Sequence, residues 1–163
     1  MRTLEEKKIP YEHYSAQFAK RLFKRYPTWR EYAGYTTEGK PEEHIDYLSV
    51  RVPTPNPNLP DPFVVSTNSL HEVTLSWFGG WHIHIFKSKA ETDEDYFSRV
   101  LSEIDRIISE QVVVATCYRG QEISSGSAFP AKSDIPSSLL PKPDQRLVIR
   151  SWRGTYDREI AGE

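Results

Sequence analysis

Between His71 and Phe86 the chain reads HEVTLSWFGGWHIHIF, and no other stretch restricts the fold as tightly. Side chains on a strand point alternately to opposite faces. Here two alternating runs flank a glycine pair, and glycine supplies the positive φ that a two-residue hairpin turn demands. With Gly79-Gly80 as that turn, Phe78 faces Trp81, Trp77 faces His82, Leu75 faces His84 and Val73 faces Phe86. One side of the ribbon is then expected to carry Val73, Leu75, Trp77, His82, His84 and Phe86. Thr74, Ser76, Phe78, Trp81, Ile83 and Ile85 fall on the other. Neither side is simply polar, so one face is covered and the other partly covered or used for binding.

The flanking pattern sets the fold class. Tyr14, Phe18, Leu22 and Tyr26 recur at helical spacing after Ile9-Pro10-Tyr11, where proline suits a helix start, and Pro27 ends the run. Lys20, Arg21, Lys24 and Arg25 lie towards that end, where cations suit the helix dipole. The segment from Trp29 to Lys40 reads as a loop or short strand, and Ile45 to Val52 as a strand. Downstream of the hairpin, Thr92 is a good N-cap and Asp93, Glu94 and Asp95 mass in the first turn. Phe97, Val100, Leu101, Ile104, Ile107 and Ile108 form the apolar stripe of that helix. Strands are expected at Val112–Tyr118, Glu122–Phe129, Arg146–Trp152 and Thr155–Ile160. Two proline-marked loops interrupt the pattern, at 53–62, where five of the twelve prolines fall, and at 130–143. Two helices among strands joined by short turns predict an α+β class with a mainly antiparallel sheet, as a single domain over 1–163.

Composition narrows the function. Charged residues make up 27% of the chain with mixed sign, which reads as a globular, solvated surface. No apolar run approaches the roughly 18 residues of a spanning helix, and the first residues lack the apolar core of a secretory signal. One cysteine, Cys117, allows no internal disulfide and fits a reducing compartment, so a cytoplasmic location is expected, without a membrane partner. Residues 1–30 carry +5 and residues 31–163 carry −7. An acidic body without a concentrated basic patch argues against nucleic acid as a partner and suits a partner with a basic surface.

Candidate chemistry centres on His82 and His84. A metal would need one or two further ligands, and Lys87, Ser88 and Lys89 stand where a carboxylate would be useful. Acid–base catalysis would need a cation for an anionic substrate, for which Arg150, Arg153 and Lys87 are available. The plainer reading has both histidines hydrogen-bonded on a sheet face or at an interaction surface. Ser127 lacks the surroundings of a nucleophile elbow, Cys117 sits on an apolar strand as an inert thiol, and His44 lies exposed among acids. No dinucleotide or phosphate loop is present, and no cofactor, metal or catalytic residue is assigned. Late in the chain, SWRGTYDR brings together Trp152, Arg153 and Tyr156, residue types that dominate binding hot spots.

The span from Glu72 to Arg158 resembles small bacterial immunity proteins associated with polymorphic toxin systems. The resemblance is carried by HEVTLSWFGGWHIHIF, the helix after it, the acidic helix-to-strand junction of Ile107 to Val114, and SWRGTYDR. Ile83 departs from the small hydroxyl residue usual there, and Lys87 from an acid. The resemblance implies a non-enzymatic protein that binds and blocks one cognate toxin domain. Joined to the residue reading, it gives an expectation of a cytoplasmic inhibitor of a toxin with a basic active site, contacting it through Trp81, His82, His84, Trp152, Arg153 and Tyr156. The alternative is a small hydrolase or nuclease using His82 and His84, with or without a metal.

Overall fold

The computed structural model describes residues 12–38 and 45–163. The expected helix opening at Ile9-Pro10-Tyr11 and the expected exposure of His44 lie outside those residues. In chain order the elements are α1 (His13–Arg25), a 3-10 helix (Pro27–Tyr32), β1 (Ala33–Glu38), β2 (Ile45–Val52), β3 (Phe63–Thr67), β4 (Val73–Ser76) and β5 (His82–Ile85). Then come α2 (Asp93–Ile108), β6 (Val112–Arg119), β7 (Glu122–Pro130), β8 (Gln145–Arg150) and β9 (Arg158–Ala161). The class is α+β, as expected. The strands form two sheets instead of one, ordered β1-β2-β3-β4-β5 and β7-β6-β8-β9. The chain divides into two compact units interleaved in sequence. Described residues up to Val52 join Val64–Leu75 and Ile83–Leu101 in the first; Pro53–Phe63, Ser76–His82 and Ser102–Glu163 make the second. Among the described residues, no helix is long and apolar enough to cross a membrane.

In the first unit, α1 begins where the Glu12 carboxylate accepts from the Tyr14 and Ser15 N–H groups at 3.1 and 3.3 Å. That satisfies two of the helix's orphan donors. Its stripe of Phe18 and Leu22 is fully buried, as are Leu48, Val50, Val65, Val73 and Leu75 of the sheet. Phe18 packs on Phe97 of α2 with centroids 5.4 Å apart. The buried Ser15 and Thr67 hydroxyls meet at 2.6 Å, and Leu48 N–H donates to Thr67 Oγ1 at 3.0 Å. Tyr96, fully buried and absent from the anticipated α2 stripe, links two strands. Its hydroxyl donates to the Ile85 carbonyl at 2.5 Å and accepts from Val73 N–H at 2.9 Å. Thr92 caps α2 as expected, accepting from Asp95 N–H at 3.1 Å.

In the second unit, β6 lies between β7 and β8. Val113 opposes Phe129, Ala115 opposes Ile149, and Cys117 opposes Leu147, so these apolar side chains share one face. Ile160, opposite Leu147 on β9, extends that face, and Ala131, Leu139 and Tyr156 pack against it. Cys117 is buried within it, the inert position expected for it. A separate aromatic cluster joins Phe63, Trp77 and Trp152, with centroids about 6 Å apart.

The hairpin departs from expectation by one residue. Trp77 N–H donates to the Trp81 carbonyl at 2.8 Å, and Trp81 N–H to the Phe78 carbonyl at 3.1 Å. The turn is therefore three residues, Phe78-Gly79-Gly80, wound as a short 3-10 segment. A one-residue change of register exchanges the faces of a strand. Trp77 opposes Trp81, not His82, and Thr74 opposes His84, with their side chains 3.0 Å apart. Trp77 is buried, whereas His82 and His84 point to the opposite side of the ribbon and are exposed. The expectation that the histidines share a face with Trp77 is corrected by this longer turn.

Candidate functional site

Three clusters contain the residues singled out in the sequence. The first is the segment Ser151–Asp157, expected to be strand at both ends, which folds as a tight turn. Two carboxylates shape it. Asp157 accepts from Ser151 N–H at 2.8 Å and from the side-chain amides of Asn56 and Asn58 at 3.0 Å each. Glu110 accepts from Arg153 N–H at 2.8 Å and from Thr155 N–H at 3.3 Å. Burial raises the Glu110 pKa, but hydrogen bonds from Thr155, Ser151 and the Arg153 backbone outweigh it, and the net shift is downward. Glu110 thus ties the junction after α2 to the SWRGTYDR segment.

This turn redistributes the expected contact residues. Trp152 is only 7% exposed and packs against Phe63 and Trp77, so it is a core residue and cannot anchor a partner as expected. Tyr156 is half-buried against the Phe129–Leu147 face. Arg153 is exposed. Of the three, only Arg153 offers its whole side chain to a partner.

The second cluster is a cleft of about 230 Å³ lined by Gly79, Gly80, Trp81 and His82 on one side and by Ile123–Gly126 of β7 on the other. Gly79 makes the close approach possible: its φ is +64°, and a Cβ there would overlap the Thr116 side chain. His82 Nδ1 lies 3.0 Å from the Gly80 carbonyl, which can only accept, so Nδ1 carries the proton. Trp81 is half-buried, His82 is exposed and Ile123 is 52% exposed. β7 is an edge strand whose residues Glu122–Gly126 are all exposed. Its first six residues, EISSGS, carry no lysine or proline of the kind that usually blunts an edge.

The third cluster belongs to the first unit. Glu72, its side chain 3% exposed, stands 2.9 Å from His84 Nδ1, with Thr74 Oγ1 at 3.0 Å from the same nitrogen. Asn68 donates to the same Glu72 oxygen at 2.5 Å, while the other oxygen, Oε2, is buried without a hydrogen-bond partner among the described residues. A buried carboxylate fixes the imidazole's orientation and places the Nδ1 proton on the carboxylate side. Such an imidazole can exchange a proton at Nε2. Among the described residues, no three His, Cys, Asp or Glu side chains gather as metal ligands.

The two histidines therefore have different immediate partners, one a backbone carbonyl and the other a buried acid. Glu72, Ile123, Glu110 and Asp157 were missed as site residues. For Glu72 the signal existed, since a three-residue turn places residues 72, 74 and 84 on one face. Compared with protein-family models, curated proteins and solved structures, the chain matches none.

Proposed function

We propose that this protein is a cytoplasmic binding inhibitor of the immunity type, which neutralises a cognate toxin domain by covering its functional surface. The observation that carries the reading is the cleft beside β7. It combines a half-buried tryptophan, an oriented and exposed histidine, an exposed isoleucine and an open strand edge. Aromatic anchors beside apolar and backbone hydrogen-bonding groups are what a protein partner engages. The bonds from Glu110 to Arg153 and Thr155 add support, because they connect two of the segments that carry the resemblance. The contact set is Trp81, His82, Ile123 and Arg153, all on the second unit.

The test is co-expression with the product of the adjacent upstream gene. Rescue from its toxicity, lost in Trp81→Ala/Ile123→Asp protein that remains folded, supports the reading. If that product is harmless, or kills while this protein is abundant and folded, the reading fails. A second reading, acid–base hydrolysis, is favoured by the Glu72–His84 bond alone. Its signature would be an activity abolished by His84→Ala and reduced by Glu72→Gln, with no effect of Ile123→Asp.

A further inference from the structure

The apolar face of the second sheet ends in a cavity. Val113, Ala131 and Ile149 lie buried beneath it, and its volume is about 400 Å³, within the range of small-molecule sites. Two cations, Lys132 and Arg158, stand on its open rim. Arg158 opens β9 directly opposite Ile149, and opposed residues share a face, so its side chain extends the apolar surface with a guanidinium. Lys132 follows Ala131, whose N–H is held by the Gln111 carbonyl at 2.9 Å; the turn closes through Ser133 N–H to the Pro130 carbonyl at 3.1 Å. Neither Lys132 nor Arg158 has an ion-pair partner among the described residues, although most other arginines on this unit do.

The one carboxylate on the wall does not compensate them. Asp157 is turned to the Ser151 N–H, to Asn56 and Asn58, and to Arg150 at 3.8 Å. Tyr156 completes the wall and, with Lys132, also lines a second cavity of about 290 Å³ bounded by Ser109–Gln111 and Pro130. The result is a pair of cations without ion-pair partners beside the partly exposed Tyr156 ring, on a body that is otherwise net acidic.

We propose that this cavity binds a small organic anion. Lys132 and Arg158 hold a carboxylate or phosphate group through charge-assisted hydrogen bonds, and an aromatic body lies on the partly exposed Tyr156 ring and the edge of Ala131. The site is independent of the inhibitor reading, and it lies on residues other than those of the Trp81–Ile123 cleft.

The experiment is an NMR titration of the full chain with phenyl phosphate, with inorganic phosphate and benzyl alcohol as probes of the two halves, and with an acetylated Asp-Phe dipeptide. The expected result is saturable shifts at Val113, Ala131, Ile149 and Tyr156, with a phenyl phosphate dissociation constant of about 1 mM or tighter. Each half-probe should bind at least about tenfold more weakly, and Lys132→Met and Arg158→Met should each weaken phenyl phosphate by about tenfold. Both side chains are exposed, so thermal stability should be unchanged in either variant. Arg119→Met, remote in sequence and paired with Asp144, should bind as wild type. Tighter binding of phenyl phosphate than of the dipeptide assigns the anion to a free molecule; the reverse order assigns it to an acidic residue of another protein. Shifts that do not saturate, or binding equal in wild type and both variants, would overturn the proposal. Toxin rescue by Lys132→Met keeps the two conclusions separable.

Discussion

Glu110 shows how a single residue can break a local rule and be compensated. Its φ is +57°, and it occupies the left-handed position after α2 that glycine usually fills. The Glu110 N–H to Ile107 and Gln111 N–H to Arg106 bonds, at 3.0 and 2.9 Å, complete that helix ending. The left-handed backbone costs about 1–2 kcal/mol in a residue with a Cβ, and the carboxylate bonds to the 151–155 turn offset it. Glu110→Ala should therefore destabilise by roughly 2–4 kcal/mol, losing the bonds and keeping the strain, while Glu110→Gly should lose about 1 kcal/mol less. Urea unfolding measures both. Because the folded pKa of Glu110 is depressed, its ionised form adds stability above the ordinary carboxylate pKa of about 4.3. That contribution is lost as pH falls through the folded value, so the stability gap between wild type and Glu110→Gln should narrow below about pH 4. Trp152 teaches the converse. Its residue type suits a hot spot as well as a core, and its contacts with Phe63 and Trp77 place it in the core. Trp152→Ala should cost about 3–5 kcal/mol of stability, whereas Arg153→Ala should leave stability within about 0.5 kcal/mol and weaken partner binding.

At the scale of elements, legibility followed the strength of local signals. The cap and acidic first turn of α2 depend on neighbours three or four residues apart, and they are where the pattern placed them. Tyr96 escaped the stripe because its hydroxyl needs partners, the Ile85 carbonyl and Val73 N–H, that only the folded hairpin supplies. β3 went unread because FVVST is five residues long and directly follows the proline run, leaving too short a pattern to register. The β4–β5 turn failed for a subtler reason. Two adjacent glycines fit a two-residue turn, yet here one of them must also approach Thr116, a tertiary demand that local spacing does not encode. Substitution separates the two demands. Gly120 has a similar φ of +59°, but a Cβ added there would meet nothing within 4 Å, so Gly120→Ala should cost only the backbone strain of about 1–2 kcal/mol. Gly79→Ala carries that strain and displaces Thr116 as well, and should cost at least about 1 kcal/mol more. Equal losses in paired urea titrations would mean that the contact with Thr116 contributes nothing.

At the scale of the whole molecule the charge pattern bears on how a partner is met, more than on how tightly it is held. Residues 31–163 carry −7, yet many of the acids near the candidate surfaces are already engaged: Glu72 with His84, Glu110 with the 151–155 turn, Asp157 with Asn56 and Arg150. Acids committed to internal hydrogen bonds still contribute to the long-range field, but they cannot leave their partners to form short ion pairs with a toxin. In the proposed toxin complex, affinity is expected from apolar and aromatic contact around Trp81 and Ile123, with electrostatics acting on encounter. The expectation is a division of labour that kinetics can resolve. Raising salt from about 50 to 300 mM shortens the Debye length from roughly 14 to 6 Å and should slow association with a basic toxin domain about tenfold or more, with dissociation changed less than about twofold. Ile123→Asp should do the opposite, leaving the salt-dependent association rate nearly intact and speeding dissociation by at least about tenfold. A dissociation rate that rises steeply with salt would show that short ion pairs hold the complex, and would move the binding surface away from the cleft beside β7.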